Sequence, residues 1–351
     1  MSHLRALPLL LIAGALAAAA LTAASTEAAD NRNVMGESLV LIGTEPARVW
    51  RGPILGKSVV IRSTYLPGLP NTVVFTEGKD YAIDPLKGQI RRLEGSRIRD
   101  YSKNVLFGQK DFNHSKFPGF TNNPDFVFVD YRAGRNVEWP VQPSQTRFLE
   151  RTKSRIRKGE PVKVVAFGDS ITSGGEATSP ALIYWQRWVD AVKARNPKAQ
   201  ITAVNGATGG DTSTDGLKRI QDKVFATAPD LVLVAFGMND QNVGFVPLNT
   251  FEANLREMVK RIRETTPAEI VLVSGCTPNP NWHWASGKMG EYAAVTRKVA
   301  SETRCAYADV YSNWKAVVDA KKPEDLLANN VNHPNDFGHW IYFQVLDRLG
   351  L

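Results

Sequence analysis

The chain has 351 residues, 43% of them hydrophobic and 22% charged, with 27 glycines, 20 prolines and a formal net charge of +8. This length admits two domains or one large elaborated one, and the mixture excludes a disordered or fibrous chain. The positive excess falls within residues 31–160 while 161–351 is balanced; with no nucleic-acid-binding module beside it, no nucleic-acid partner is expected.

Residues 1–29 read as a signal peptide. Arg5 precedes an apolar stretch from Leu7 to Leu21, and small residues follow through Ala28 and Ala29. The apolar run is shorter than the roughly 20 residues needed to cross a bilayer. The mature chain is therefore expected to be secreted or periplasmic, with no stable membrane span.

Residues 32–140 read as a β-sandwich-like accessory domain. Lys57–Arg62, Asn71–Phe75 and Phe126–Val129 are rich in β-branched and aromatic residues and are separated by Pro, Gly, Asn and Asp, the pattern of short strands joined by turns. Tyr81–Ile90 predicts a hairpin turning at Asp84–Gly88. Residues 141–160 form a polar, partly helical linker in which Arg147, Arg151, Lys153, Arg155, Arg157 and Lys158 cluster. A solvated amphipathic helix accounts for that cluster; an anionic polysaccharide or cell surface is the alternative.

From residue 161 the period changes. Val162–Phe167, Ile201–Val204, Leu231–Phe236, a strand starting at Ile270 and Ala306–Val310 are apolar. They alternate with helical patterns near 180–195, 214–226, 251–264 and 292–302. Buried strands alternating with amphipathic helices predict an α/β fold, a flavodoxin-like three-layer sandwich around a central parallel sheet spanning 161–351. Cys276 follows one of these strands and Cys305 opens another. On neighbouring parallel strands they would lie on the order of 15 Å apart, beyond the roughly 7 Å a disulfide tolerates between Cα atoms, so both thiols are expected to be free and buried.

In such a sheet ligands bind beyond the carboxyl ends of the strands, and polar motifs fall there. The first strand leads into Gly168-Asp169-Ser170-Ile171-Thr172-Ser173-Gly174-Gly175. The second leads into Asn205-Gly206-Ala207-Thr208-Gly209-Gly210-Asp211-Thr212, and the third into Gly237-Met238-Asn239-Asp240. Near the C-terminus stands His333-Pro334-Asn335-Asp336-Phe337-Gly338-His339. In order and spacing these four blocks resemble the SGNH, or GDSL-like, hydrolases over about residues 162–348.

The resemblance implies a serine esterase with Ser170 as nucleophile and Asp336 and His339 as an Asp-x-x-His pair. It also implies an oxyanion hole from the Ser170 N–H, the Gly210 N–H and the Asn239 side chain; the glycine directly before Asp211 matches the family pattern. The chemistry agrees. A serine hydroxyl needs a base to become nucleophilic, an imidazole titrates near neutrality, and a carboxylate can fix its tautomer. Asp169 and Asp240 read as organising residues, and His333 either braces the catalytic loop or touches substrate. No His-Glu-x-x-His motif is present, and the glycines fit neither Rossmann nor phosphate-loop spacing, so neither metal nor cofactor is expected.

Trp282-His283-Trp284 follows the fourth strand and offers either flat faces to sugar rings or core packing; Tyr184 and Trp185 carry the same ambiguity. Secretion, an appended strand-rich region and these aromatics favour an O-acetylesterase acting on a polysaccharide or oligosaccharide. The alternatives are a lipase or acyl-ester hydrolase of broader specificity, and a non-catalytic polysaccharide-binding protein on the same fold.

Overall fold

The computed structural model describes residues 32–136 and 138–351; the proposed signal peptide lies outside the described residues. No helix among those described is long and apolar enough to cross a membrane.

The N-terminal region builds two small antiparallel sheets from six strands: β1 (Asn33–Val40), β2 (Pro46–Arg48), β3 (Val60–Arg62), β4 (Tyr81–Asp84), β5 (Gln89–Arg92) and β6 (Phe126–Arg132). They pair in the orders β1-β6-β3 and β2-β5-β4. The hairpin forms where expected, with Asp84 opposite Gln89. The strand expected at Asn71–Phe75 is reduced to a single bridge between Val74 and Arg62; Phe75 is buried, but Val73 and Val74 remain exposed. Within residues 141–160 a helix, α1 (Glu150–Lys158), buries Thr152 and Ile156, while Arg155 pairs with Asp230.

The remainder is a parallel five-stranded sheet. Its strands are β7 (Pro161–Gly168), β8 (Gln200–Asn205), β9 (Leu231–Ala235), β10 (Glu269–Val273) and β11 (Ala306–Ala308), in the order β11-β10-β9-β7-β8. Their alternating side chains feed two cores. On β7, Val162, Val164 and Ala166 join one apolar cluster, while Val165 and Phe167 join the other. Period-two alternation with both faces apolar is what burial between two helical layers requires. On the first face pack α3 (Tyr184–Arg195), α8 (Val310–Val318) and α9 (Asp336–Asp347); on the second, α4 (Ser213–Lys223), α6 (Leu248–Thr265) and α7 (Met289–Thr303). Two single-turn helices, α2 (Ser170–Ser173) and α5 (Met238–Gln241), follow β7 and β9 directly. Cys276 and Cys305 are both free and buried.

The first apolar cluster runs without a break from Val34, Leu39, Ile61 and Val129 of the N-terminal sheets to Phe337, Ile341 and Val345 of α9. A buried ion pair crosses the same boundary: the side chains of Lys321 and Glu37 are both fully buried, with Nζ 2.6 Å from Oε1. The same carboxylate accepts from the Trp50 N–H and the Tyr131 hydroxyl, each at 2.7 Å.

Candidate active site

The nucleophile block sits at the carboxyl end of β7, and its geometry follows from local capping. Asp169 caps the turn that carries Ser170, its Oδ1 accepting from the Ile171 N–H at 3.0 Å. Burial pushes this carboxyl up to about 7, as expected for a charge withdrawn from water. The turn is braced from α3: the Tyr184 hydroxyl lies 2.9 Å from Thr172 Oγ1, and Trp185 Nε1 donates to the Thr172 carbonyl at 2.8 Å. Both aromatic residues are buried, so they serve packing and bracing.

The second block lies beside Ser170, and the third is tied to the second. Gly209 backs onto the serine: a Cβ placed there would lie 3.9 Å from Ser170 Cβ. Gly210 adopts φ +82°, a conformation that strongly favours glycine. Asn239, buried at the start of α5, donates from Nδ2 to the Asp211 carbonyl at 2.9 Å. Asp240 accepts from the Ser213 N–H and hydroxyl and from the Gly237 N–H, locking the second and third loops together.

The fourth block departs from the sequence expectation. The imidazole on Ser170 is that of His333, whose Nε2 lies 2.8 Å from Ser170 Oγ. His339 is not there. It is fully buried one turn into α9 and stacks on Tyr184 at 6.1 Å with planes 12° apart; its Nε2 faces the Gly175 carbonyl at 3.3 Å. Asp336, at the N-terminus of α9, does not meet His339 either. It accepts from the Thr178 N–H at 2.9 Å and the Thr178 hydroxyl at 2.6 Å, fastening the loop that follows the nucleophile. The reason is helical geometry: α9 buries Phe337, His339, Ile341 and Tyr342 against the core, whereas His333 precedes the helix in the loop facing Ser170.

That loop is held by asparagines. Asn329 Oδ1 accepts from the backbone N–H groups of Val331, Asn332 and His333, at 2.9 to 3.0 Å. Asn330, three residues before His333, has φ +56° and is tied through its carbonyl and Oδ1 to Asn279 Nδ2. Among the described residues no carboxylate hydrogen-bonds to His333, and Ser170 and His333 form a two-residue pair. Burial holds the His333 imidazole down at about 4; burial does the same to His339, also to about 4.

Gly175 is the tight point of this arrangement. A Cβ on it would lie 3.1 Å from His333 Nδ1 and 3.0 Å from the Ser170 carbonyl oxygen. The Gly175→Ala protein is therefore expected to fold normally but lose about tenfold or more in kcat, because a displacement of a few tenths of an ångström acts on the Ser170–His333 contact itself. Steady-state kinetics beside a thermal melt checks this.

The aromatic loop after β10 serves the frame more than the surface. Trp282 is buried and donates from Nε1 to His114 Nδ1 at 3.0 Å. Phe112 and Trp282 pair as a β-bridge, and His283 Nδ1 lies 2.8 Å from Asp111 Oδ1. Trp282 therefore offers no open face to a sugar; His283 stays exposed, and Trp284 is partly buried beside His114. What the sequence did not reveal is that His114, Phe117, Phe120 and Glu176 join His333 around one cavity.

Two curated relatives are similar to this chain. An acetylxylan esterase of Geobacillus stearothermophilus is 28% identical over 204 residues, 53% of this chain and 92% of the relative. An arylesterase of Vibrio mimicus is 30% identical over 121 residues, 33% of this chain and 56% of the relative. Among solved structures, the acetylxylan esterase from G. stearothermophilus superposes with a TM-score of 0.47 at 26% identity, covering 54% of this chain and 94% of that one. A lipase/acylhydrolase from Enterococcus faecalis gives a TM-score of 0.45 at 26% identity, over 53% and 94%. The model of the GDSL-like lipase/acylhydrolase family matches residues 166–341, which include the Ser170 turn, both glycine-containing loops and His333. With half of its length matched in this way, the chain belongs to the GDSL-like lipase/acylhydrolase family.

Proposed function

We propose that this esterase is secreted and removes O-acetyl groups from a carbohydrate through an acyl-enzyme, with Ser170 as nucleophile and His333 as its base. The observation that carries this reading is the 2.8 Å contact between Ser170 Oγ and His333 Nε2, within the reach required of a nucleophile and its base. Ser170 Oγ attacks the ester carbonyl while its proton passes to His333 Nε2. The oxyanion is met by the N–H groups of Ser170 and Gly210 and by the Asn239 amide; one such donor typically contributes about 3 kcal/mol. Collapse breaks the C–O bond, and the imidazolium returns its proton to the departing sugar oxygen. Water then repeats the sequence on the acyl-enzyme.

With no carboxylate partner among the described residues, the Asn329 side chain, which accepts three backbone N–H groups of the loop, and the close approach of Gly175 orient His333. Asp336 and His339 become supports of the loop behind the nucleophile.

The acetyl-carbohydrate assignment is supported by the acetylxylan esterase relative, which is matched over 92% of its length. Secretion is supported by the n-region, apolar core and small residues of positions 1–29. Acetate release from acetylated xylan, chitin-derived oligomers and peptidoglycan, measured beside release of longer acyl groups from simple esters, tests the assignment. Acetate from a glycan should dominate. Preferential release of long acyl chains would favour a lipase, and no release with retained glycan binding would favour a polysaccharide-binding protein.

A further inference from the structure

The family match begins at residue 166, yet the surroundings of His333 are completed from the N-terminal region. Residues 104–123 form a strap across the hydrolase loops, fixed to them at two points. At one, midway along the strap, Phe112 N–H donates to the Asn281 carbonyl and His283 N–H to the Phe112 carbonyl, both at 3.0 Å. At the other, Asn122 N–H donates to the Ala328 carbonyl at 2.6 Å and its Nδ2 to the Leu327 carbonyl at 3.1 Å. Leu106, Phe112, Trp282 and Val331 bury one another beneath it. The wall it makes is pre-formed.

Between this strap and the catalytic loops lies a cavity of about 310 Å³, bordered by His114, Phe117, Phe120, Glu176, Val331 and His333. Its polar groups are specified chemically. An indole N–H only donates, so His114 Nδ1, which receives Trp282 Nε1, is the unprotonated nitrogen and Nε2 bears the hydrogen. Partial desolvation lowers the pKa of this ring. Glu176 supplies an acceptor. Its backbone is in the left-handed region at φ +66°, uncommon for a residue with a side chain. The Thr121 hydroxyl and the Asn123 amide both donate to its Oε2, at 3.2 and 3.4 Å. A donor and an acceptor between two phenyl rings, with Ser115 and Asn329 also on the lining, make a site for a polyol with apolar faces, and the volume is at the small end of the roughly 300–1,000 Å³ of ligand sites.

The position of the cavity assigns the part of the ester it takes. In ester cleavage the protonated base must reach the departing alkoxide, so the alcohol side of the substrate lies on the side of the imidazole. His333 borders this cavity while its Nε2 touches Ser170. Resting on the assignment of Ser170 and His333 as nucleophile and base, we infer that the cavity under the 104–123 strap is the alcohol-side subsite, holding a single sugar ring whose hydroxyls donate to Glu176 and accept from His114 Nε2–H, so that the N-terminal region selects the leaving group.

Two variants of the full chain test this: Glu176→Gln, which removes the charged acceptor, and Ser115→Trp, which fills the cavity from an exposed position on its rim. Each is assayed on an acetylated methyl xyloside and on ethyl acetate, which share the acyl group and differ in the alcohol. The ratio of kcat/KM for the sugar ester over ethyl acetate should fall ten- to thirtyfold in both. Ratios equal to those of the unaltered chain would overturn the assignment.

Binding of methyl xyloside, read by saturation-transfer NMR on the Ser170→Ala protein, is independent of turnover and should vanish when Ser115→Trp is added. Ester cleavage without sugar binding sinks the subsite and spares the esterase. Sugar binding without cleavage supports the subsite and sinks the catalytic reading.

Discussion

His333→Ala is expected to lose ester hydrolysis by on the order of 10⁴-fold, the upper part of what a positioned acid–base group contributes. His339→Gln is expected to retain activity to within about tenfold. The two histidines make a matched comparison because burial holds both well below their ordinary range, at about 4, so acidity alone does not separate them. Contacts do. His333 meets Ser170 Oγ, whereas His339 Nε2 is directed at the Gly175 carbonyl and its buried Nδ1 has no hydrogen-bond partner among the described residues. Glutamine can still donate to that carbonyl but cannot stack on Tyr184 as imidazole does, so the cost should appear in stability, at about 1–3 kcal/mol. Initial rates on a soluble acetate ester, beside urea titrations of the three proteins, separate the two roles.

The largest expected effect on stability lies far from the chemistry. Lys321→Met should destabilise the chain by about 3–5 kcal/mol, read as a fall in Tm on the order of 5–10 °C. The Lys321 and Glu37 side chains are wholly buried, and removing the ammonium leaves the Glu37 carboxylate with two neutral donors, Trp50 N–H and the Tyr131 hydroxyl. An uncompensated buried charge costs more than the pair contributes, so the double substitution Lys321→Met with Glu37→Gln should recover much of the loss. Because Glu37 belongs to β1 and Lys321 follows α8, the measurement also reports on how firmly the N-terminal sheets are seated on the hydrolase core. The strap beside His333 depends on that seating.

The parallel sheet was legible because each strand had to be apolar on both faces, and runs such as Val162–Phe167 state that directly. The loops that carry Ser170, Gly210 and Asn239 were legible because strand ends and glycine-rich turns are local features. The imidazole beside Ser170 was not legible at Asp336-x-x-His339: the structure sets His333 there, and Asn330 precedes His333 by the same interval. A usable signal was present in Phe337, Trp340, Ile341 and Tyr342, which surround His339 with helix-spaced apolar residues and predict burial.

Trp282 was ambiguous for a different reason. Its partner, His114, lies 168 residues away, and no local pattern encodes such a contact. The same holds for the cavity, whose walls come from three separated stretches of chain.

The contact between Ser170 and His333 is tested most directly by the rate at which a fluorophosphonate labels the chain as a function of pH. An imidazole held near 4 stays in its base form through the weakly acidic range. The label should therefore map to Ser170, form at a nearly level rate from pH 8 to about pH 5, and be lost in His333→Ala. Labelling that survives in His333→Ala but disappears in His339→Gln, or no label on Ser170 at any pH, would contradict the account.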